Sequence, residues 1–287
     1  MRSPFLDERE REQIGGDDGR TQVADPFAVP YRWICSLDVS HPGEKLRRGT
    51  GVLLGPRQVL TAAHNVYLPD GRGPAAVQVA VARHGRTDPF GTVRAVAVSV
   101  SSAFLTGPGG FVRTGSRFDL ALLTLERDVS GLRHDALGPE RLAHWGHATA
   151  GHGTELRPLE VAYLDGKRVR VAGYPGDRCG EDVLDTVRGC PRPDHASVQF
   201  EHVGSVSFDA RMPGILLHTA DTHRGQSGSP VWIQFTDGRR RLAGIHVAPH
   251  LVPNLGPGRP LPITHNKAVH LGADALTLVR SWMPDVS

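Results

Sequence analysis

From residue 31 onward the apolar residues come in short runs broken by Gly, Pro and Asp. Runs at 31–39, 51–54, 58–63, 76–82 and 93–100 have the length and boundaries of β-strands. Residues 119–126 are denser, because Leu120, Leu122, Leu123 and Leu125 make an almost continuous apolar strand. Residues 128–155 are rich in Gly and His, with poor periodicity, and read as the connection between two halves. Strands are expected again at 160–164, 169–174, 197–208, 214–219, 230–235 and 241–247. Residues 249–262 read as a Pro/Gly-rich loop. A helix is expected over 271–282, where Leu271, Ala275, Leu276, Val279 and Trp282 fall on one face. Residues 1–26 read as a polar tail. The pattern predicts an all-β fold of two packed antiparallel β-barrels, over 27–140 and 155–268, with a C-terminal α-helix over 269–287.

Composition adds boundaries to this picture. A chain of 287 residues suffices for one large domain or two packed lobes with a sizeable core. The 34 glycines and 22 prolines fit many strands joined by turns. No stretch approaches the roughly 18–20 apolar residues of a membrane span, so no membrane partner is expected. The formal net charge is +3 and the arginines are scattered, so no nucleic-acid partner is expected either. Residues 1–20 are charged and lack the apolar core of a secretory leader. Cys179 and Cys190 would close a small loop as a disulfide in an oxidising compartment, leaving Cys35 unpaired; in a cytosol they would be thiols.

Candidate chemistry gathers at three places. Gly225-Gln226-Ser227-Gly228-Ser229-Pro230 sets a serine between glycines, ahead of the apolar run Val231-Trp232-Ile233. Such a turn exposes the hydroxyl and lets backbone N–H groups crowd close to whatever it attacks, as a nucleophile with an oxyanion hole requires. A plain surface turn has the same composition. In Val59-Leu60-Thr61-Ala62-Ala63-His64-Asn65 a strand ends in small residues and delivers a histidine, a candidate general base among 15 histidines. Asp119 opens an apolar strand, and a part-buried carboxylate there needs a partner such as an imidazole N–H. The alternative is an aspartate capping its own turn. The order His, Asp, Ser is one of the known orders of a serine triad, with two members on the first barrel and one on the second. An α/β-hydrolase would need Gly-x-Ser-x-Gly, whereas Ser229 stands in the fifth position.

Thr61-Ala62-Ala63-His64, Phe118-Asp119-Leu120-Ala121-Leu122 and the Ser227 turn resemble the three signatures of chymotrypsin-fold serine peptidases. The match is closer to the bacterial glutamyl endopeptidases. Val171-Ala172-Gly173-Tyr174-Pro175-Gly176-Asp177, Thr219-Ala220-Asp221-Thr222 and Gly244-Ile245-His246 are similar to tracts of that family. Ile14-Gly15-Gly16-Asp17-Asp18-Gly19-Arg20-Thr21 resembles the start of its mature chains. The resemblance implies a chymotrypsin-like peptidase domain acting on protein or peptide substrates, with no cofactor and no metal. It implies Ser227 as nucleophile, His64 as base, Asp119 as the residue that orients the imidazole, and the N–H groups of Gly225 and Ser227 as the oxyanion hole. A monomer is expected. By resemblance the protein would be extracellular; a native Met1 with no leader would place it in the cytoplasm.

Specificity is contested within the sequence. Asp221 lies six residues before Ser227, where trypsin-like enzymes place the carboxylate that binds Arg or Lys. Thr222 and His246 match the pair with which glutamyl endopeptidases bind a substrate carboxylate. Cleavage after Glu, less readily after Asp, is the expectation. Arg/Lys specificity set by Asp221, or a catalytically silent binding module on the same fold, are the alternatives.

Several residues depart from the family pattern. Gln226 replaces the aspartate that pairs with a new N-terminal ammonium in chymotrypsin and trypsin. The tail carries Glu8, Glu10 and Glu12, so it is either a self-cleaved propeptide remnant or simply a charged tail. Pro249 has no N–H to offer a substrate strand. His144, His147 and His152 form a loose cluster without metal-site spacing.

Overall fold

The computed structural model describes residues 11–12, 17–107, 112–147, 154–178, 197–251 and 263–283. Cys179, Cys190, His152, Glu8 and Glu10 lie outside the described residues, so the disulfide and the three-histidine cluster are not addressed. Within the span 1–26 read as a tail there are two short strands, β1 (Arg11–Glu12) and β2 (Thr21–Gln22).

The first barrel comprises β3 (Ile34–Ser40), β4 (Arg47–Leu53), β5 (Gln58–Thr61), β6 (Ala76–Val81), β7 (Thr92–Val100) and β8 (Ala121–Leu125). It closes in the order β3-β4-β5-β8-β7-β6. Closure leaves no edge for foreign strands to join. On β8, Ala121, Leu122, Leu123 and Leu125 are all fully buried, which accounts for the nearly unbroken apolar run. The short β9 (Thr154–Glu155) follows.

The second barrel holds β10 (Arg168–Gly173), β11 (Phe200–Ser207), β12 (Ile215–His218), β14 (Pro230–Gln234), β15 (Arg240–Leu251) and β16 (Ile263–His270), with the two-residue β13 (Thr222–His223) after β12. The circuit β10-β14-β15-β16-β12-β11 is closed by pairing of β10 with β11. β1 pairs with β13, β2 extends β11 and β9 pairs with β15. The expected all-β, two-barrel architecture with a closing helix, here Ala273–Trp282, is what forms.

The barrels share apolar contacts. Trp33, Trp145 and Trp232 are buried and meet edge to face, with ring centroids 6.0 Å apart for the first pair and 6.1 Å for the second. Trp33 precedes β3, Trp145 lies between the barrels and Trp232 is on β14, so the row of rings spans the boundary.

Four sequence expectations change, the first being that the strand read at 241–247 runs on to Leu251, into the span 249–262 read as loop, because residues 249–251 pair with β16. Residues 160–164 form a helical turn, Val161–Leu164, because only Leu164 of these is buried and the exposed Val161 and Tyr163 impose no strand alternation. Residues 31–33 form one 3-10 turn, and the strand starts at Ile34. The sequence reading missed β16, whose buried polar residues Asn266 and His270 disguise the pattern; each donates to or meets a main-chain carbonyl, of Ala220 and Leu159 respectively.

Candidate active site

β5 ends at Thr61, Ala62 is extended, and a helical turn, Ala63–Val66, begins at once. Ala62 and Ala63 are wholly buried, so the small side chains let this reversal press against the barrel while the next residue, His64, reaches the surface. The His64 side chain is 15% exposed; that of Asp119 is 0% exposed.

The Asp119 carboxylate accepts three N–H groups. Oδ1 takes the backbone N–H of His64 at 2.9 Å, and Oδ2 takes His64 Nδ1 at 2.8 Å and the backbone N–H of Gly115 at 2.5 Å. A desolvated carboxylate is tolerated when its lone pairs are met in this way. Because the carboxylate only accepts, Nδ1 carries the proton and a neutral ring presents a bare Nε2. Nearby Lys267 is pushed below the ordinary lysine range by burial, opposed by the charge of Asp119.

Ser227 belongs to the second barrel, yet its backbone is fastened to the first. Its carbonyl accepts the N–H of Thr50 at 2.9 Å and Asn65 Nδ2 at 2.7 Å. Thr50 Oγ1 donates to the Gly225 carbonyl at 2.8 Å and accepts the Tyr174 N–H at 3.0 Å. Inside the turn, Gln226 N–H goes to His223 O, Ser229 N–H to Gln226 O and Gly228 N–H to His246 O. Among the described residues the amides of Gly225 and Ser227 meet no acceptor. Ser227 Oγ and His64 Nε2 likewise have no hydrogen bond among the described residues.

Two glycines are required by this packing. Gly225 has φ +100 and Gly228 φ +91, both in the left-handed region. A Cβ on Gly225 would lie 2.6 Å from the Tyr174 carbonyl, and one on Gly228 would collide with the Thr50 carbonyl and Thr61 Oγ1. Gln226 is buried and neutral, its Oε1 accepting His223 N–H at 2.9 Å and its Nε2 donating to Phe200 O at 3.4 Å.

The three specificity candidates separate into two groups. Thr222 and His246 are both fully buried and lie around β16. Thr222 Oγ1 accepts Asn266 Nδ2 at 3.1 Å, and His246 is paired in register with Ala268. His246 Nδ1 is 3.2 Å from His218 Nε2, so one ring donates to the other. Burial holds His218 well below the ordinary histidine value, aided by repulsion from His246 and His265. Asp221 turns elsewhere: its Oδ2 accepts the Gly19 N–H at 2.9 Å and its own N–H goes to His202 Nδ1 at 2.8 Å. Pro249 continues β15 opposite Asn266, past a register shift between His246 and Ala248.

Sequence reading missed His218, Asn266 and Arg20. His218 ends an apolar strand that was itself legible, so a buried histidine facing the next strand was the available signal. Arg20 offered no such signal inside a charged stretch.

Among the described residues no cluster of three or more His, Cys, Asp or Glu has metal-site geometry, and no helix is long and apolar enough to cross a membrane. The family model for the trypsin-like peptidase domain matches residues 49–245, a span that contains His64, Asp119 and Ser227. A glutamyl endopeptidase of Bacillus licheniformis is 26% identical over 77% of this chain and 54% of its own length. A Bacillus subtilis protein named extracellular metalloprotease is 24% identical over 85% of this chain and 64% of its own. The chain thus spans less than two thirds of either relative. A solved Glu endopeptidase in complex with MPD superposes with a TM-score of 0.64 at 21% identity, covering 93% of this chain and 98% of that one. With two closed barrels, the shared fold and a family match over most of its length, this chain belongs to the trypsin-like peptidase family.

Proposed function

We propose that this chain is a serine endopeptidase that cleaves on the carboxyl side of glutamate and, less readily, aspartate. The observation that carries the catalytic part is the buried Asp119 carboxylate bound to His64 Nδ1 at 2.8 Å. It fixes the tautomer that a general base needs. His64 Nε2 removes the Ser227 hydroxyl proton as Oγ attacks the substrate carbonyl. The amides of Gly225 and Ser227 receive the developing oxyanion. The imidazolium, stabilised by Asp119, returns the proton to the leaving amine, and water then hydrolyses the acyl-enzyme by the same steps.

The acidic preference draws support from the two directions taken by adjacent side chains. Asp221 is occupied by the Gly19 N–H, whereas Thr222 joins Asn266, and His246 joins His218. A hydroxyl and an imidazole that can gain a proton suit an anionic side chain; a carboxylate in that position would not. The name of the Bacillus licheniformis relative points the same way.

A fluorophosphonate probe should label Ser227 in the wild type and leave Ser227→Ala unlabelled. A peptide-library digest read by mass spectrometry should then show Glu before the cleaved bonds. Absence of labelling in folded protein sinks the enzyme reading, and Arg or Lys before the cleaved bonds transfers the pocket to Asp221.

A further inference from the structure

The segment ahead of the first barrel is bolted to Asp177 and Asp221 of the second. The Arg20 side chain is only 1% exposed. Its guanidinium grips two carboxylates. Nε and Nη2 donate to Asp18 at 2.8 and 2.6 Å, and Nη1 and Nη2 donate to Asp177 at 3.0 and 2.7 Å. Asp177 Oδ1 is also 3.4 Å from His223 Nδ1, on β13. Next to Asp177, the Gly176 N–H bonds the Arg224 carbonyl at 2.7 Å, one residue before Gly225. Arg20 therefore touches the segment at Asp177, which in turn contacts His223 and Arg224 just ahead of the serine turn.

Arg20 also fixes its neighbour. Gly19 donates its N–H to Asp221 Oδ2, and a Cβ at Gly19 would stand 2.6 Å from His202 Nε2. A side chain at residue 19 would therefore have to displace the His202 ring beside Asp221. Beyond Arg20, β2 pairs with Glu201 and Phe200 of β11, so both ends of the contact are held. Asp221 immediately precedes Thr222, the first residue of β13, and successive side chains leave extended backbone on opposite sides. Forked ion pairs fix geometry more than they add net stability when buried.

We infer that Gly19 and Arg20 form a latch that keeps the Asp221 carboxylate away from the Thr222–His246 side, with Arg20 as a positioning residue for specificity. The inference rests on the acidic-pocket reading above. Released, Asp221 would bring a like charge toward a substrate glutamate and an attractive charge toward arginine. The N-terminal segment would then belong to the specificity apparatus of the enzyme.

The test uses matched peptides that differ only in Glu, Ala or Arg before the scissile bond. Arg20→Met should lower kcat/KM on the Glu peptide about 10- to 100-fold, chiefly through KM, while the Ala peptide changes less than about threefold and the Arg peptide gains. Arg20→Lys should recover part of the Glu preference. Adding Asp221→Asn to Arg20→Met should restore the Glu peptide and erase the gain on Arg. Equal losses on Glu and Ala, or no rescue by Asp221→Asn, overturn the latch. If Arg20→Met does not fold, Asp18→Asn, which removes one of the two carboxylates, should shift the Glu-to-Arg ratio in the same direction; an unchanged ratio overturns the latch. Wild type that fails to label at Ser227, or that prefers the Arg peptide, overturns the underlying reading and the latch with it. Failure of the latch alone looks different: wild type cleaves after Glu and Arg20→Met keeps that preference.

Discussion

Thr50 and Ser227 are joined across the two barrels, the N–H of one donating to the carbonyl of the other at 2.9 Å. The Thr50 hydroxyl adds a bond to Gly225 O and receives one from Tyr174 N. One first-barrel residue thus holds the start of the turn and the proposed nucleophile itself. Thr50→Val should leave Gly225 O and Tyr174 N without these buried partners and cost roughly 2–4 kcal/mol. Thr50→Ser should recover most of it. Urea denaturation of the three proteins checks the ranking, and equal midpoints for Val and wild type would refute it.

Asp119→Asn should reduce kcat by about four orders of magnitude with little change in KM, because an amide in place of the carboxylate favours the wrong imidazole tautomer. Steady-state kinetics on a Glu peptide measure this. A loss below about tenfold would mean that Asp119 only braces the loop at Gly115.

Gly228→Ala combines a φ of +91 with a collision against Thr50 O. It should destabilise the protein by more than about 3 kcal/mol. Thermal unfolding near the wild-type midpoint would show that the turn relaxes more freely than its contacts imply.

His218 sets a pH dependence of stability. Its folded pKa is well below its ordinary value of 6.5, so below that pH the unfolded chain takes up a proton that the native chain refuses. Its contribution is present above the unfolded pKa and is lost as pH falls beneath it, at up to about 1.4 kcal/mol per pH unit. Replacement by Gln should flatten the stability profile between about pH 6.5 and 5. Denaturation at several pH values reads the slope, and an unchanged slope removes His218 from the account.

His246→Val should lose the preference for Glu over Ala peptides by more than it loses stability, as judged by kcat/KM ratios beside unfolding midpoints. A parallel loss on both peptides would make His246 a packing residue.

The two barrels and their order were legible because their strands are short apolar runs punctuated by Gly and Pro, and the triad candidates because each lies in a local motif. His64 follows small residues at a strand end, Asp119 opens the densest apolar run, and Ser227 sits between glycines. What stayed hidden depended on distant partners. Asn266 and His270 look like loop polarity until their carbonyl partners, Ala220 and Leu159, are known. The Val161–Leu164 turn is too short for either periodicity to declare itself. Arg20 is one charge among many in a charged stretch, and only folding pairs it with Asp177, 157 positions away. The direction of Asp221 was undecidable for the same reason, since its acceptor role depends on Gly19, 202 positions away.

The row of Trp33, Trp145 and Trp232 provides an optical gauge of barrel docking. Three of the four tryptophans form a row across the boundary, Trp145 touching both others, sealed from solvent. Parting of the barrels would wet all of them together and shift their emission to the red in one step. Rearrangement confined to residues 17–22 would leave the colour of that emission untouched. A single fluorescence trace can therefore separate global undocking from loss of the N-terminal attachment without any added label.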